Sequence, residues 1–568
     1  MLDTTINTKF VVGTNLRGDM ASADWRFLLP RLKFGSVLCL GVPALPTVFV
    51  LANMCESVLL VSTNRRRLRK AMDEGAKRDL KTVNGLLFSG SATLPCSSGP
   101  VDLIYVSAEK RFRSFVADEP SCRELVRLLK PGGVIYFEER ATKQRRMSGE
   151  IKARLVQNGL TGTQVFRLTP LNGELQTAIP AFDNVAAGYF ESNVLPSPSL
   201  KSRLWEGFHQ VFGGERYGVV TRCVKHEVNG HLPDYLASLA VEHGINADGY
   251  LWGMSAPGRY NTRKVLFYLL GRDSGMPELI IKLTRSSTFN LRLENEFRSL
   301  EDLSNRNIVD PQTYPRPLFF GHRGDLAILA QKCIHGKAFR QATKATLDCP
   351  YARAAMEWLM ELGAGSANAT VATPRRVSDT MTGLLKQFAG IYKLSDRDHA
   401  FLVEQIGVIA QSSAPFPTVF QHGDPGIWNV LATDREGIAF LDWEAAELQG
   451  MPLWDVFYFL RSYGTWMARQ RGNRDSLKSF NQNFLNSSAL SSLLVRLVHR
   501  YCERIQLDTR FIEPLFYLCW MHRALKEATR LTAARLEMGH YVSLLRMCIE
   551  NRQAPGLVQL FAPISSEV

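Results

Sequence analysis

The 568-residue sequence lacks closely spaced cysteines, low-complexity tracts and internal repeats. Its ten cysteines lie far apart, and no Cys-x-x-Cys pair is present that could begin a zinc site or a redox motif. We therefore expect reduced, mostly buried thiols. The N-terminus, MLDTTINTKF, has no basic start followed by an apolar run, so a secretory signal is not expected. Both features predict a cytoplasmic protein.

An unbroken transmembrane run is also missing. The one uncharged stretch of suitable length, residues 37–55 (VLCLGVPALPTVFVLANMC), contains Gly41, Pro43 and Pro46. These residues break the stretch into a strand, a loop and a helix start, and a second apolar run, SVLLVST, follows at the spacing of a βαβ unit. We interpret the stretch as part of an α/β domain rather than as a transmembrane segment.

The composition is that of a folded multidomain protein. The 45% hydrophobic and 21% charged residues exclude disordered and collagen-like chains, and the length suggests more than one domain. The net charge of +14 raises nucleic acid, anionic membranes or anionic substrates as partners. Residues 460–552 carry 15 Lys/Arg against 7 Asp/Glu, a difference of +8. Because no nucleic-acid module or interleaved aromatic pattern accompanies the basic runs, we expect no specific nucleic-acid binding.

Residues 1–225 alternate apolar, strand-like runs with helical patterns. The runs are SVLCLG, SVLLVST, GPVDLIYVS, a helix SCRELVRLL with its KPGG turn, VIYFEE, TQVFRLTP and RYGVVTRCV. Such alternation predicts a parallel sheet covered by helices. We place the end of this domain at residues 224–230.

The stretch LVRLLKPGGVIYFEE resembles the late helix, glycine turn and strand of class I methyltransferases, which have a Rossmann-like fold and bind S-adenosylmethionine. The cofactor motif departs from that family. Cys39, Gly41, Pro43 and Leu45 stand where the family usually has an acidic residue and a Gly-x-Gly-x-Gly loop, and the second strand ends in Ser-Thr-Asn instead of an acid. Proline and leucine obstruct the close backbone approach that glycines permit. We expect a degenerate domain that does not use S-adenosylmethionine.

The sequence pattern changes after Leu232. The run YLWGMSAPGRYNTRKVLFYLL predicts two strands joined by a turn at Gly258, and ELIIKLT predicts a third strand. A helix (LRLENEFRSLEDL) and another strand (DLAILAQKC) follow, and beyond Gly336 the pattern is largely helical.

The main chemical motif is FQHGDPGIWNVL, followed by FLDWEAAELQG. Asp424 and Asn429 share one loop, and the predicted hairpin NVLATDREGIAFLDWE returns Asp442 beside Asn429. Phosphoryl transfer needs a carboxylate that accepts the proton of the attacking hydroxyl, and oxygen ligands that hold a cation. Two carboxylates about 4 Å apart repel each other by roughly 4 kcal/mol at an effective dielectric near 20, so a cation is expected between them. A few hard oxygen ligands favour Mg²⁺.

The motifs HGDPGIWN, LDWE and GMPLWDVFYFL together resemble the aminoglycoside phosphotransferase and choline kinase superfamily, which has a protein-kinase-like fold. The resemblance implies that Asp424 is the catalytic base, that Asn429 and Asp442 are magnesium ligands, and that His422 braces the loop. Asp455 matches a position that supports the C-terminal helices, and a plain helix cap is the alternative.

The same resemblance calls for a strand lysine with a helical glutamate. Alternation in ELIIKLT places Ile280 and Lys282 on one face, so that Lys282 contacts the phosphates and Ile280 the adenine. An exposed edge charge is the ordinary alternative for such a lysine. Of the two candidate glutamates, Glu296 lies closer than Glu294 to the centre of the helix's apolar stripe, and we favour Glu296.

Two further segments are expected to contact the nucleotide. The turn at Gly258 covers the phosphates through backbone N–H groups. Residues 330–333 resemble the hinge that hydrogen-bonds adenine, which makes Gln331 and Cys333 candidates. The family often has an acidic residue where Gln331 stands, so the choice between ATP and GTP as the phosphate donor is left open.

The predicted fold is multidomain α/β plus α+β: a Rossmann-like domain (1–225) and a bilobal kinase-like domain (226–335 and 336–568). The predicted activity is ATP-dependent phosphorylation of a hydroxyl on a small molecule. The basic balance of residues 460–552 favours a neutral or anionic acceptor over a polycationic aminoglycoside. An inactive scaffold or regulatory protein and a bifunctional methyltransferase-kinase are the alternatives, and the oligomeric state is left open.

Overall fold

The structure is a computed structural model that describes residues 18–89, 99–107, 119–141, 155–160, 162–171, 174–195, 215–222, 231–368 and 372–563, with a few single positions besides. It divides into two units. The sheet unit comprises residues 17–290 and 319–331, and the helical unit comprises residues 1–16, 291–318 and 332–568. The predicted domain boundary at 224–230 lies outside the described residues.

One sheet of 13 strands runs through the sheet unit. Its strands are β1 (Phe34–Leu40), β2 (Cys55–Ser62), β3 (Val83–Leu87), β4 (Val101–Val106), β5 (Leu129–Ala141), β6 (Gln164–Leu171), β7 (Glu174–Pro180), β8 (Glu215–Arg222), β9 (Tyr250–Ser255), β10 (Val265–Gly271), β11 (Pro277–Leu283), β12 (Pro317–Arg323) and β13 (Leu326–Lys332). The helices of this unit include α1 (Leu45–Met54), α2 (Arg65–Lys77), α3 (Glu119–Leu128), α4 (Asn184–Tyr189) and α5 (Asp234–Glu242). A ten-residue 3-10 segment, Asp19–Leu28, precedes β1.

The first half of the sheet is doubly wound. Strands β3, β2, β1, β4 and β5 are neighbours in that order and parallel, while β8 pairs antiparallel with β5 and β6 antiparallel with β8. The order reverses between β1 and β4, as in Rossmann-like folds. The predicted Rossmann-like sheet is therefore confirmed. Residues 37–55 comprise the end of β1, a connection at 41–44, α1 and the first residue of β2. Among the described residues, none of the helices has the length and apolar character of a membrane span.

The second half of the sheet is formed by the predicted kinase-like strands. Strands β9, β10 and β11 are antiparallel, and β9 also pairs with β7, at Thr177 with Ser255 and at Ala178 with Met254. Backbone hydrogen bonds thus continue across the predicted boundary at 225/226. For this reason the two units do not coincide with the predicted domains. The sequence analysis did not predict β3, β7 or β12.

The helical unit holds the remaining elements. Its helices are α6 (Asn290–Arg306), α7 (Phe339–Ala342), α8 (Pro350–Ser366), α9 (Pro374–Ile391), α10 (Asp396–Ala410), α11 (Trp454–Gln470), α12 (Ser476–Phe480), α13 (Ala489–Ile505), α14 (Ile512–Ala528), α15 (His540–Glu550) and α16 (Pro555–Phe561). Its short strands are β14 (Lys337–Ala338), β15 (Val419–Gln421), β16 (Val430–Ala432), β17 (Ile438–Phe440) and β18 (Glu447–Gly450). Helices α11 and α14 are buried on nearly all sides, as expected for helices that are apolar around most of their circumference.

The described cysteines are all free thiols, and all of them except Cys333 are buried. This agrees with the expectation of reduced, mostly buried cysteines.

Candidate active site

The loop after β15 is held in one conformation by Asp455. The carboxylate of Asp455 accepts hydrogen bonds from His422 N (2.6 Å) and Gly423 N (3.1 Å). Gly423 has φ +77°, and a Cβ there would lie 1.9 Å from the carbonyl oxygen of Ala445. Only glycine fits this position, because both the backbone angle and the space exclude a side chain. The loop therefore presents Asp424 from a fixed backbone.

Asp455 is not a helix cap. Helix α11 begins at Trp454 with Leu453 at the cap position, and no side chain there makes a cap hydrogen bond. The Asp455 carboxylate is used instead by the loop amides. Burial raises the pKa of this carboxyl, and the nearby His422 and Arg523 oppose the shift. The helix-cap alternative is wrong for this residue, and the structure gives it a supporting position under the loop.

His422 joins this loop to the strand that leads to Asp442. Its Nδ1 accepts from Asp424 N (3.3 Å), so its Nε2 carries the proton that is donated to the carbonyl oxygen of Leu441 (3.0 Å). The ring is fully buried and lies against Trp443. Burial lowers the pKa of His422, which agrees with a neutral imidazole. This geometry fits the bracing role predicted for His422.

The predicted hairpin brings Asn429 and Asp442 together. Strands β16 and β17 pair Val430 with Phe440, and Leu441 N donates to Asn429 O (2.8 Å), so Asp442 directly follows the residue opposite Asn429. Asp442 has φ +66° and ψ +67°, a left-handed conformation that costs energy in any residue with a side chain. Such strain concentrates at functional sites.

Asn429 also links the hairpin to the loop. Its Nδ2 donates to the carbonyl oxygen of Asp424 (2.9 Å) and lies 3.4 Å from Asp424 Oδ2. The amide therefore presents Oδ1 as its remaining acceptor. Asp424, Asn429 and Asp442 are thus held by one loop and one hairpin, as the sequence predicted.

The donor set of Asn429 and Asp442 fits Mg²⁺. Carboxylate and amide oxygens are the ligands that this ion prefers, and Mg²⁺ sites in phosphotransferases use one or two carboxylates together with substrate phosphates. Within the described ranges, no group of three or more His, Cys, Asp or Glu side chains forms a metal site.

The segment after Asp442 is braced by helix α6. Asn295 Nδ2 donates to the carbonyl oxygens of Glu444 (3.1 Å) and Ala446 (2.9 Å), and Arg292 Nη1 lies 3.8 Å from Glu444 Oε1. Sequence reasoning missed Asn295, although it stands between the two glutamates that were considered on this helix.

Those glutamates differ in burial. Glu296 is fully buried, whereas Glu294 is 26% exposed and pairs with Arg298 on the helix surface. The burial agrees with the preference for Glu296, whose role as partner of the lysine stays a prediction.

Cys333, one of the two predicted hinge residues, also lies in the helical unit. Its Sγ is 3.7 Å from the carbonyl oxygen of Ile334, and burial raises the pKa of its thiol to about 11.

The predicted lysine lies in the interior of the sheet unit. Lys282 is 7% exposed and stands opposite Leu266 of β10, and Ile280 stands opposite Tyr268. Strand β11 is flanked by β10 and β13, so the alternative of an exposed edge charge is wrong.

At the predicted hinge, Gln331 is 4% exposed, and its Oε1 has no hydrogen-bond partner among the described residues.

The turn at Gly258 is tied to its surroundings through backbone atoms. Gly258 has φ +75°, as a left-handed turn position requires. Arg285 Nη1 donates to the carbonyl oxygens of Gly258 (2.8 Å) and Tyr260 (2.9 Å). Just before the turn, Ala256 N donates to Gln176 O (2.8 Å). The loop is therefore shaped by groups outside its own hairpin.

An arginine that sequence reasoning missed lies beside Asp424. Arg523 Nη1 is 3.5 Å from Asp424 Oδ1, and its Cζ lies 3.5 Å from the ring centroid of Tyr458. Arg523 belongs to α14 and is 6% exposed. Its signal in the sequence is a single arginine within the apolar run FYLCWMHRAL. The guanidinium and the Asp424 carboxylate therefore form an ion pair within the helical unit.

Comparison with known proteins assigns a class to the region that contains these residues. Residues 263–478 match the family described as "Phosphotransferase enzyme family" (APH), and the match includes Lys282, Asp424, Asn429 and Asp442. This region is therefore similar to the phosphotransferase family. The match covers less than half of the chain, and no curated protein matches the chain.

Solved structures to which the chain is similar include methyltransferases. A SAM-dependent methyltransferase from Aquifex aeolicus is 16% identical, with a TM-score of 0.22, and the match covers 34% of this chain and 86% of that one. The N-methyltransferase NodS from Bradyrhizobium japonicum WM9 is 12% identical, with a TM-score of 0.24, and the match covers 36% of this chain and 94% of the NodS chain.

Proposed function

We propose that this protein is a small-molecule kinase that transfers the γ-phosphate of ATP, with GTP as the alternative donor, to a hydroxyl group. The observation that carries the proposal is the fixed arrangement of Asp424, Asn429 and Asp442. Three independent constraints maintain it: the Asp455 contacts, the His422 bridge and the hairpin register. A chain that only bound a partner would not need this set of oxygen donors.

In the proposed reaction Asp424 is the base. The acceptor hydroxyl gives its proton to the Asp424 carboxylate while its oxygen forms a bond to the γ-phosphorus. The bond between the γ-phosphorus and the β–γ bridging oxygen breaks, and a nucleoside diphosphate leaves. Arg523 forms an ion pair with the Asp424 carboxylate, and Asn429 fixes the backbone carbonyl of the base.

Asn429 and Asp442 would hold Mg²⁺, which supplies charge neutralisation on the phosphates when it is bound. His422 holds both segments that carry these ligands, because it bonds Asp424 on one side and Leu441 on the other.

The nucleotide is proposed to contact residues that the sequence singled out. Lys282, with Glu296 as its partner, contacts the phosphates, and the backbone at Gly258 covers them. Ile280 lies against the base, and the hinge positions hydrogen-bond its edge. Gln331 Oε1 is buried and has no hydrogen-bond partner in the part of the chain that the structure describes, which supports a hinge role, since a buried amide oxygen normally has a donor. Cys333 contributes through its backbone.

The acceptor is proposed to be a neutral or anionic hydroxylated small molecule. The N-terminal sheet is proposed to act without S-adenosylmethionine: Asn64, at the end of β2, caps α2 by accepting from Arg67 N (3.0 Å), and no acid stands there to bind a ribose. A cytoplasmic location stays a prediction.

The test is nucleotide binding and turnover by the full chain. Wild type is compared with Asp424→Ala and Asp442→Ala, using ATP or GTP with Mg²⁺ and pools of hydroxylated metabolites. Asp434→Ala is a matched control, because Asp434 is an exposed acid in the turn of the same hairpin. We expect wild type and the control to transfer phosphate to one pool and both site variants to fail.

A wild-type protein that binds no nucleotide under any of these conditions would contradict the proposal and favour the scaffold alternative. Binding of S-adenosylmethionine by the full chain, measured by calorimetry, would instead support the bifunctional alternative.

A further inference from the structure

The helical unit contains a buried arginine without a carboxylate partner. Arg461 lies on α11 and is 9% exposed. Within the described part of the chain its guanidinium contacts His540 Nε2, its Nε makes no hydrogen bond, and no Asp or Glu forms an ion pair with it. A buried charge is normally paired, because removing an ion from water costs several kcal/mol. Arg461 therefore lacks the anion that its position calls for.

His540 does not supply that anion. Its Nε2 accepts from Arg461, so its Nδ1 carries the proton and donates to Ser476 Oγ (3.2 Å). Burial, together with the positive charges of Arg461 and Arg469, lowers the pKa of His540 to about 3. The imidazole is neutral near pH 7 and leaves the charge of Arg461 uncompensated.

A continuous row of side chains connects Arg461 with Asp424. Arg461 Cζ lies 5.0 Å from the ring centroid of Tyr541, and the rings of Tyr541 and Tyr458 are 6.2 Å apart. Arg523 covers the Tyr458 ring and reaches Asp424. Arg461 and Tyr458 are three positions apart on α11 and so lie on the same face of the helix. The unpaired cation and the proposed base thus belong to one wall.

The neighbouring acids already have partners. Asp455 accepts two loop amides, Asp475 accepts two backbone amides at the start of α12, and Glu447 Oε1 lies 3.9 Å from Lys526 Nζ. Among the described residues, none of these acids forms an ion pair with Arg461.

We infer that the acceptor carries an anionic group, a carboxylate or a phosphate, which Arg461 binds while the hydroxyl of the acceptor faces Asp424. This inference rests on the proposed function. The guanidinium fork suits either anion, because it can donate two parallel hydrogen bonds. A polycationic acceptor would be repelled by Arg461 and Arg523.

The first experiment measures binding without turnover. The full-length protein is saturated with Mg²⁺ and a non-hydrolysable nucleotide analogue, and thermal shifts are recorded with matched probes: glycerol and glycerate, glucose and gluconate, glucose and glucose 6-phosphate. We expect at least one anionic probe to raise Tm more than its neutral counterpart. Carboxylate and phosphate probes distinguish the two kinds of anion.

Variants assign the effect to Arg461. Arg461→Gln should weaken binding of the anionic probe by at least about 10-fold, since charged hydrogen bonds are lost. Arg504→Gln, which removes an exposed positive charge from α13, should leave the affinity unchanged. If Arg461→Gln fails to fold, Arg461→Lys is used, and it should keep the preference for anions at reduced affinity.

The outcomes separate this inference from the proposed function. Transfer to neutral and anionic acceptors with equal kcat/KM would overturn the inference and leave the kinase proposal intact. Anionic probes that bind through Arg461 without any phosphate transfer would support the anion site and contradict the kinase proposal. If no anionic probe shifts wild type more than its neutral counterpart, or if Arg461→Gln binds it equally well, the inference is wrong.

Discussion

Asp24 and Arg285 form a fully buried, two-pronged ion pair, with Arg285 Nε 3.1 Å from Asp24 Oδ1 and Arg285 Nη2 2.7 Å from Asp24 Oδ2. The remaining nitrogen of Arg285 donates to the carbonyl oxygens of Gly258 and Tyr260. Asp24 lies in the 3-10 segment before β1, far from this turn in sequence. The N-terminal segment therefore helps to shape the loop that is proposed to cover the nucleotide phosphates.

We predict that removing this pair raises the KM for nucleotide. Substitution of Asp24 alone would leave the buried guanidinium groups of Arg285 and Arg26 without their carboxylate and cost about 3–5 kcal/mol of stability. The double variant Asp24→Leu/Arg285→Met, which leaves only Arg26, is therefore preferred. It replaces both charges by apolar groups and removes the donor from two loop carbonyls. The KM for nucleotide should rise by about 10-fold, equivalent to ~1.4 kcal/mol, with faster amide exchange in residues 256–264.

The control for this prediction is Asp102→Asn. Asp102 accepts hydrogen bonds from Ser36, Arg31 and Lys130 in the same unit but does not contact the loop. The Asp102→Asn substitution should lower the stability of the sheet and leave the KM for nucleotide unchanged. Equal KM values in wild type and the double variant would show that the loop does not depend on the pair.

A second prediction concerns Gly423. Gly423→Ala places a Cβ 1.9 Å from the carbonyl oxygen of Ala445, so the loop must move and Asp424 with it. We expect kcat to fall at least about 100-fold, equivalent to ~2.7 kcal/mol. Gly383→Ala, in the middle of α9 with no atom near the added methyl group, should keep kcat and raise stability by about 0.5–1 kcal/mol. Unchanged turnover in Gly423→Ala would contradict the claim that the loop geometry is required.

A third prediction uses His522. This buried ring stacks on Trp454, and both of its nitrogens lack hydrogen-bond partners among the described residues. His522→Phe should therefore stabilise the protein by about 1 kcal/mol at pH 8, as measured by chemical denaturation.

The same variant should alter the pH dependence of stability. Burial lowers the pKa of His522 well below its ordinary value of 6.5, so below that pH the unfolded chain takes up a proton that the folded chain does not. The contribution of the neutral His522 ring to the free energy of unfolding is thus fully present above pH 6.5 and is lost as the pH falls below it. The advantage of His522→Phe should grow by up to ~1.4 kcal/mol per pH unit below 6.5. An advantage that is independent of pH would refute this account, and the exposed His399→Phe serves as the control.

Local patterns predicted the part of the site that is local in sequence. The loop of Asp424 and the hairpin that returns Asp442 both follow from turn chemistry and strand pairing within short segments. Gly258 was likewise recognisable as a turn, because glycine permits its positive φ.

The remaining features depend on pairings between distant segments. The β7–β9 ladder joins two interior strands of the sheet whose sequences do not specify each other as partners. Arg523 and Arg461 reach the wall beside Asp424 from two helices, and their positions are fixed by helix packing rather than by any local motif. Asp24 likewise pairs with a residue 261 positions away. For Arg523 and Arg461, the only indication in the sequence is that each is an arginine within an apolar helical run.

The most direct test of the central claim is single-turnover transfer of the γ-phosphoryl group by wild type and Asp424→Asn, with Mg·nucleotide binding measured on the same samples. We predict that the variant binds nucleotide with nearly the wild-type Kd and transfers phosphate about 10²–10⁴-fold more slowly, because it has lost the base. Equal transfer rates in the two proteins would contradict the assignment of Asp424 as the base of a kinase.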